Sequence, residues 1–234
     1  IAFALISGVG MAVIGLLMAK PALEIMGTPD DVINLSTLYM RIYFLGMPFF
    51  MLYNYGAAVL RAVGDTKRPL MFLMAAGIIN ACLNMVLVIV FNLGVAGVAI
   101  ATIFSQFISC VLVLRCLNKT DASYQLRFSK LKIKGYYLKQ IFQVGIPAGI
   151  QSTVINFSNA LLQSSVNSFG STAMAGYTAA NNIFGFLYVS VNSVTQACMS
   201  FTSQNYAVRR FKRMDKILLE CLGLTVAVSL VSVS

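Results

Sequence analysis

The sequence has no histidine and no tryptophan, and only seven of its 234 residues are acidic. Charged residues of both signs make up 10% of the chain, against 59% hydrophobic. Water is a poor solvent for such a surface, which excludes an ordinary globular domain. The five cysteines (Cys82, Cys110, Cys116, Cys198 and Cys221) form no CxxC pair, and no histidine could complete a ligand set. No metal site and no resident cofactor are therefore expected, and the cysteines are expected to serve as small apolar core residues. No Asp, Glu, His or Lys falls well inside an apolar run; Glu220 sits near the start of the last one. With no nucleophile beside a base, the sequence does not read as an enzyme.

Long apolar runs fill the space these absences leave. Six are long enough to cross a bilayer, at about 1–18, 39–60, 69–91, 94–116, 138–166 and 171–203, and a seventh at 216–234 meets the C-terminus. The alternating pattern of a membrane barrel is missing, so the fold class is an all-α polytopic membrane protein, a helical bundle. Ile1 and Ser234 both lie inside apolar runs, which predicts a piece of a longer transporter-sized protein.

The net charge of +10 is unevenly placed. Arg61, Lys67 and Arg68 share one connection. Arg115, Lys119, Arg127, Lys130, Lys132, Lys134 and Lys139 lie in or beside a second. Arg209, Arg210, Lys212, Arg213 and Lys216 lie in a third. The intervening connections carry Lys20 with Glu24, Asp30 and Asp31, or no charge. This positive-inside alternation predicts three cytoplasmic connections in a bacterial inner (plasma) membrane, with lipid rather than nucleic acid as the partner of the basic residues. It divides the chain into a first block at 1–116 with four spans, a cytoplasmic linker at 117–137, and a second block at 138–234. Within the linker, Arg127 to Tyr137 reads either as an amphipathic helix on the inner surface or as a solvated segment.

Gly46-Met47-Pro48 and Gly145-Ile146-Pro147 echo each other, and each proline is expected to kink its helix. The segment Leu60-Arg61-Ala62-Val63-Gly64-Asp65-Thr66-Lys67-Arg68-Pro69 reads as a tight cytoplasmic hinge. In it Asp65 would be held against Arg61 or Arg68, with Asp65 and Thr66 capping a helix whose first turn accepts Pro69. Gly97 and Ala101 are spaced for close helix packing, and Asn80 and Asn84 are expected to bond across a helix interface.

The second block carries two polar stripes. Ser152, Asn156, Asn159, Gln163 and Asn167 recur at helical spacing, and so do Tyr177, Asn181, Tyr188, Asn192 and Thr195, with Gln196 adjacent. Such stripes must face protein or water rather than lipid. One reading is a cavity wall for a bulky, weakly polar ligand, with Tyr177, Tyr188, Phe184 and Phe186 offering faces to an organic cation. The other is interhelical hydrogen bonding that locks the bundle. On the first reading Asn156, Asn159, Gln163, Tyr177, Asn181, Tyr188, Asn192 and Gln196 are the substrate-pathway candidates.

Taken in order, several of these segments resemble the multidrug and toxic compound extrusion (MATE) family. They are Tyr39-Met40-Arg41-Ile42-Tyr43, Gly46-Met47-Pro48, the run from Leu60 to Pro69, Asn80 with Asn84, and Gly94 to Thr102 with Gln106. Val144-Gly145-Ile146-Pro147 and Gly176-Tyr177 through Ser203-Gln204-Asn205 to Arg210 are similar to the opening of its second lobe. The resemblance implies two six-helix lobes related by a pseudo-twofold axis, with this chain covering about helices three to nine of twelve. It also implies Na⁺- or H⁺-coupled antiport that exports drugs or toxic organic cations by alternating access. The neighbourhood Val154-Ile155-Asn156 lacks the acid that some branches place there, so the resemblance supplies no ion-coupling residue. The alternatives are a lipid-linked oligosaccharide flippase of the same wider fold and a non-transporting membrane scaffold.

Overall fold

The computed structural model describes residues 1–25, 30–120, 124–127, 135–167 and 171–233. Among them the chain forms α1 (Ala2–Ile25), α2 (Asp30–Leu45), α3 (Met47–Ala62), α4 (Lys67–Met85), α5 (Gly94–Lys119), α6 (Gly135–Asn167), α7 (Ser171–Ala207) and α8 (Phe211–Val233), and no strand. A π-helical turn at Val86–Val90 extends α4. The helices fall into two compact units, Ile1–Lys132 and Ile133–Ser234.

In the first unit α5 packs against α2, α3 and α4, while α1 packs against α2 and α3. Small residues make this possible. The buried face of α1 is Ala4, Gly8, Ala12, Gly15 and Ala19, one stripe at helical spacing. A β-carbon on Gly8 would lie 2.7 Å from Pro48 Cα, and one on Gly15 would overlap the Phe44 ring. Among the described residues, seven of the twelve buried apolar ones are alanines, whereas Leu17 is 72% exposed and Met71 65%. Small side chains inside and large ones outside are what a bilayer selects, because lipid solvates leucine as well as a protein core does. Among the described residues the larger buried side chains cluster at Leu60, Val113, Leu117 and Leu126, with Tyr53 and Tyr124 against them. Gly97 and Ala101 are buried within α5, at the close-packed positions expected of them.

The expected span at 39–60 is two helices. The chain breaks at Gly46, and Ile33–Leu45 meets Met47–Ala62 at 45°. Pro48 stands in the first turn of α3, where its missing N–H leaves no bond unmade. Pro147 instead lies inside α6, which is helical on both sides of it.

Among the described residues three helices are long and apolar enough to cross a membrane, Ala2–Ile25, Lys67–Val90 and Gly94–Lys119, and the bent pair makes a fourth if it is one span. Among the described residues, α6 and α7 do not join them on composition. Their amides and hydroxyls lower their hydropathy, whereas α8, after the charged residues Lys212, Arg213, Asp215 and Lys216, continues as an apolar run interrupted by Glu220. In this unit α7 packs against both α6 and α8. Tyr136 and Tyr137, expected in a surface helix at 127–137, are exposed residues of the first turn of α6. Residues 128–134 of that expectation lie outside the described residues.

Two local expectations are corrected. Asn80 and Asn84 bond to each other within α4 (Nδ2 of Asn84 to Oδ1 of Asn80, 3.1 Å) rather than across an interface. A one-turn spacing brings the two amides together before any neighbour is needed. Of the five cysteines Cys110 is buried, Cys82 is exposed and the others are intermediate. A thiol becomes a core residue only on the covered face of its helix, and Cys82 lies on the open face of α4.

Candidate functional site

Helical spacing puts the polar residues of α6 and α7 on continuous faces, and their hydroxyls turn inward to their own backbones. Ser152 donates to the Ala148 carbonyl at 3.0 Å, and Thr153 and Ser158 bond one turn back at 2.9 Å each. On α7, Ser193 and Thr195 donate to Val189 and Val191 at 2.7 and 3.2 Å. These hydroxyls are satisfied within their helices and have little left for a ligand. The amides differ. Among the described residues, the side chains of Asn156, Asn159 and Asn181 make no hydrogen bond.

These amides border an open groove of about 570 Å³ between α6 and α7, lined by Ile155, Asn156, Asn159, Tyr177, Asn181, Phe184, Gly185 and Tyr188. Five of the eight pathway candidates thus meet on one surface. Asn192 and Gln196 do not line it and lie further along α7, exposed. At that level α7 faces α8, across a second groove lined by Ser193, Val194, Ala197, Phe201, Ile217, Glu220, Cys221 and Leu224. The Gln163 and Phe186 side chains lie outside the described residues. Sequence reasoning missed Ile155 and Gly185. Gly185 has nothing within 4 Å of where a β-carbon would sit, so it keeps the α7 wall low between Asn181 and Tyr188.

The lining carries no formal charge. It offers amide donors and acceptors, two phenols and one phenyl ring around an apolar floor. Such a surface accepts a flat or bulky organic cation through ring faces and amide carbonyls without needing a matched counter-charge.

The hinge segment is built by its own backbone. Gly64 has φ 89°, the left-handed conformation that closes α3. Asp65 N–H donates to the Leu60 carbonyl at 2.9 Å and Gly64 N–H to the Arg61 carbonyl at 3.0 Å, a Schellman closure. Asp65 then caps α4: its Oδ1 accepts from Arg68 N–H at 3.1 Å, and its Oδ2 lies 3.3 Å from Arg68 Nε. Of the two partners expected for Asp65, this geometry selects Arg68. Thr66 makes no side-chain cap bond. Lys67 opens α4, and the Tyr53 hydroxyl donates to the Pro69 carbonyl at 3.1 Å, tying α3 to the start of α4. Asp65→Ala is expected to cost about 1 kcal/mol, read as a lower melting temperature of the intact protein in detergent.

The α7–α8 turn repeats the closure, with Arg210 N–H on the Asn205 carbonyl at 2.9 Å and Arg209 N–H on Tyr206 at 3.0 Å. Arg209 occupies the glycine position at φ 55°. Arg209→Gly should therefore stabilise the fold by about 1 kcal/mol, raising the same melting temperature.

The MatE family model matches residues 1–86 and 147–233. The chain belongs to the MatE family. A "probable multidrug resistance protein YoeA" of Bacillus subtilis is 32% identical, over 92% of this chain and 48% of that protein. The B. subtilis "probable multidrug resistance protein YpnP" is 31% identical, over 88% of this chain and 46% of that one. The chain thus spans about half the length of the curated relatives it matches. Among solved structures, the "outward-facing conformation of a multidrug resistance MATE family transporter of the MOP superfamily" superposes with a TM-score of 0.89. It is 22% identical, over 98% of this chain and 51% of that chain, a likeness of fold. MatE proteins are membrane transporters rather than enzymes, and this chain is an integral, multi-pass member.

Proposed function

We propose that this chain is the central part of a secondary antiporter that exports drugs or toxic organic cations, with the α6–α7 groove as part of the substrate path. One observation carries the reading: Asn156, Asn159 and Asn181 border an open groove, unbonded among the described residues, between phenol and phenyl rings. Had these amides served to lock the bundle, they would be bonded to each other across the helices. The names of the relatives, multidrug resistance proteins, support the same substrate class. A flippase for anionic pyrophosphate lipids would want cations in its path, and the lining supplies none.

Export would proceed by alternating access, driven by Na⁺ or H⁺. The groove has no carboxylate, so we assign it no coupling site. The protein would sit in a bacterial inner membrane with residues 117–137 as its cytoplasmic linker, a placement supported by the basic residues of alternate connections.

The test uses the full-length protein in proteoliposomes loaded with ethidium. An imposed Na⁺ or proton gradient is expected to drive dye movement that collapses when an ionophore dissipates it. Dye movement indifferent to both gradients contradicts the antiport reading.

A further inference from the structure

We propose that the first unit holds a built site for the phosphodiester of an anionic phospholipid, formed by Arg68, Lys119 and Tyr124. A pocket of about 460 Å³ is lined by Arg68, Cys116, Lys119, Thr120 and Tyr124. Three separate stretches meet there: the first turn of α4, the last turn of α5, and the chain just beyond α5.

The parts are held in place. Arg68 is pinned by Asp65 and by a 3.6 Å contact from its Nη1 to Cys116 Sγ, and its fork keeps donors to spare. The Thr120 hydroxyl donates to the Cys116 carbonyl at 2.8 Å, closing the end of α5 while its oxygen stays able to accept. Beyond it the chain folds back, with Leu126 N–H on the Leu117 carbonyl at 3.0 Å and the Leu126 side chain buried beside Leu60, Val113 and Leu117. That return holds Tyr124 over the pocket.

Charge and position select the ligand. Arg68 and Lys119 bring two positive charges and Asp65 takes back one, which leaves a balance suited to the single negative charge of a phosphodiester. The pocket lies where two membrane-crossing helices end, Lys67–Val90 at its start and Gly94–Lys119 at its finish, which is the depth of lipid headgroups. Leu70 and Met71, 57% and 65% exposed, follow Arg68 directly and offer apolar surface to acyl chains. A free phosphate would have no use for that surface.

The test is binding of phosphatidylglycerol and phosphatidylcholine to the full-length protein, titrated in detergent and counted by native mass spectrometry. Phosphatidylglycerol is expected to bind preferentially. Lys119→Gln should weaken it roughly fivefold, the effect of one cation near an anionic surface. Tyr124→Phe keeps the ring against the core and should weaken it by a smaller factor. Phosphatidylcholine binding should not change in either variant. Circular dichroism and gel filtration confirm that each variant is folded. Unchanged phosphatidylglycerol binding in both variants overturns the proposal, as does equal binding of the two lipids. Displacement of the lipid by millimolar inorganic phosphate would reassign the pocket to a soluble anion and overturn it too.

Discussion

Replacing Asn156 and Asn181 together by leucine is expected to lower drug export by the full-length protein at least roughly tenfold while leaving its amount in the membrane unchanged. Each amide stands in the groove without a described partner, so its loss removes ligand contacts and breaks no bond within the bundle. A hydrogen bond contributes about 0.5–1.5 kcal/mol net, and two such losses account for the tenfold drop. Both side chains are exposed and make no bond that leucine would break, so the fold should tolerate it. Ser152→Ala is the matched control. Its hydroxyl is spent on the Ala148 carbonyl, and export should change less than about twofold. Equal losses in both variants, or normal export in the double variant, would contradict the assigned roles.

Gly15→Leu is expected to remove most of the folded protein from the membrane. A β-carbon at this position already overlaps the Phe44 ring, and a whole isobutyl group must push α1 away from α2. Ordinary overpacking costs about 1–3 kcal/mol, and this clash exceeds it because the β-carbon alone already meets Phe44 ring atoms, so α1 loses its seat on α2. Gly10 sits on the same helix with nothing within 4 Å of its would-be β-carbon. Gly10→Leu should leave abundance at the parental level, and Gly10→Ala should match or exceed it. Immunoblots of membrane fractions and gel filtration of solubilised protein read all three. Similar abundance of Gly15→Leu and Gly10→Leu would remove the claim that α1 docks through its small-residue stripe.

Much of the fold was legible because a bilayer leaves few solutions. Runs of apolar residues and clusters of lysine and arginine between them are read directly in one dimension. The break at Gly46 was half legible: Gly46-Met47-Pro48 announced a bend but not that Pro48 would open a new helix. The pairing of Gly15 with Phe44 was not legible at all, since it depends on which helix lies alongside, and spacing within α1 is silent on that. Asn80 and Asn84 illustrate the opposite error, a local bond mistaken for a long-range one.

The groove was legible in part for the same reason. Period-four spacing places Asn156, Asn159, Tyr177, Asn181 and Tyr188 on facing surfaces, and the structure gathers them. The same periodicity extends to Asn192 and Gln196, but a helix of 37 residues outruns any single neighbour. Where α8 replaces α6 beside α7, the stripe continues and the groove does not. Arg209 in a glycine conformation left no trace in the sequence, because the closure is made by backbone groups that every residue carries.

The central claim is that the α6–α7 groove meets the substrate. Single cysteines at positions 156, 181 and 222 of a full-length, otherwise cysteine-free protein test it most directly, through the rate of maleimide labelling with and without tetraphenylphosphonium. The cation is expected to slow labelling at 156 and 181 severalfold and to leave position 222, an exposed site on α8, unaffected. Labelling at 156 and 181 that ignores the cation while the protein still exports it would contradict the account.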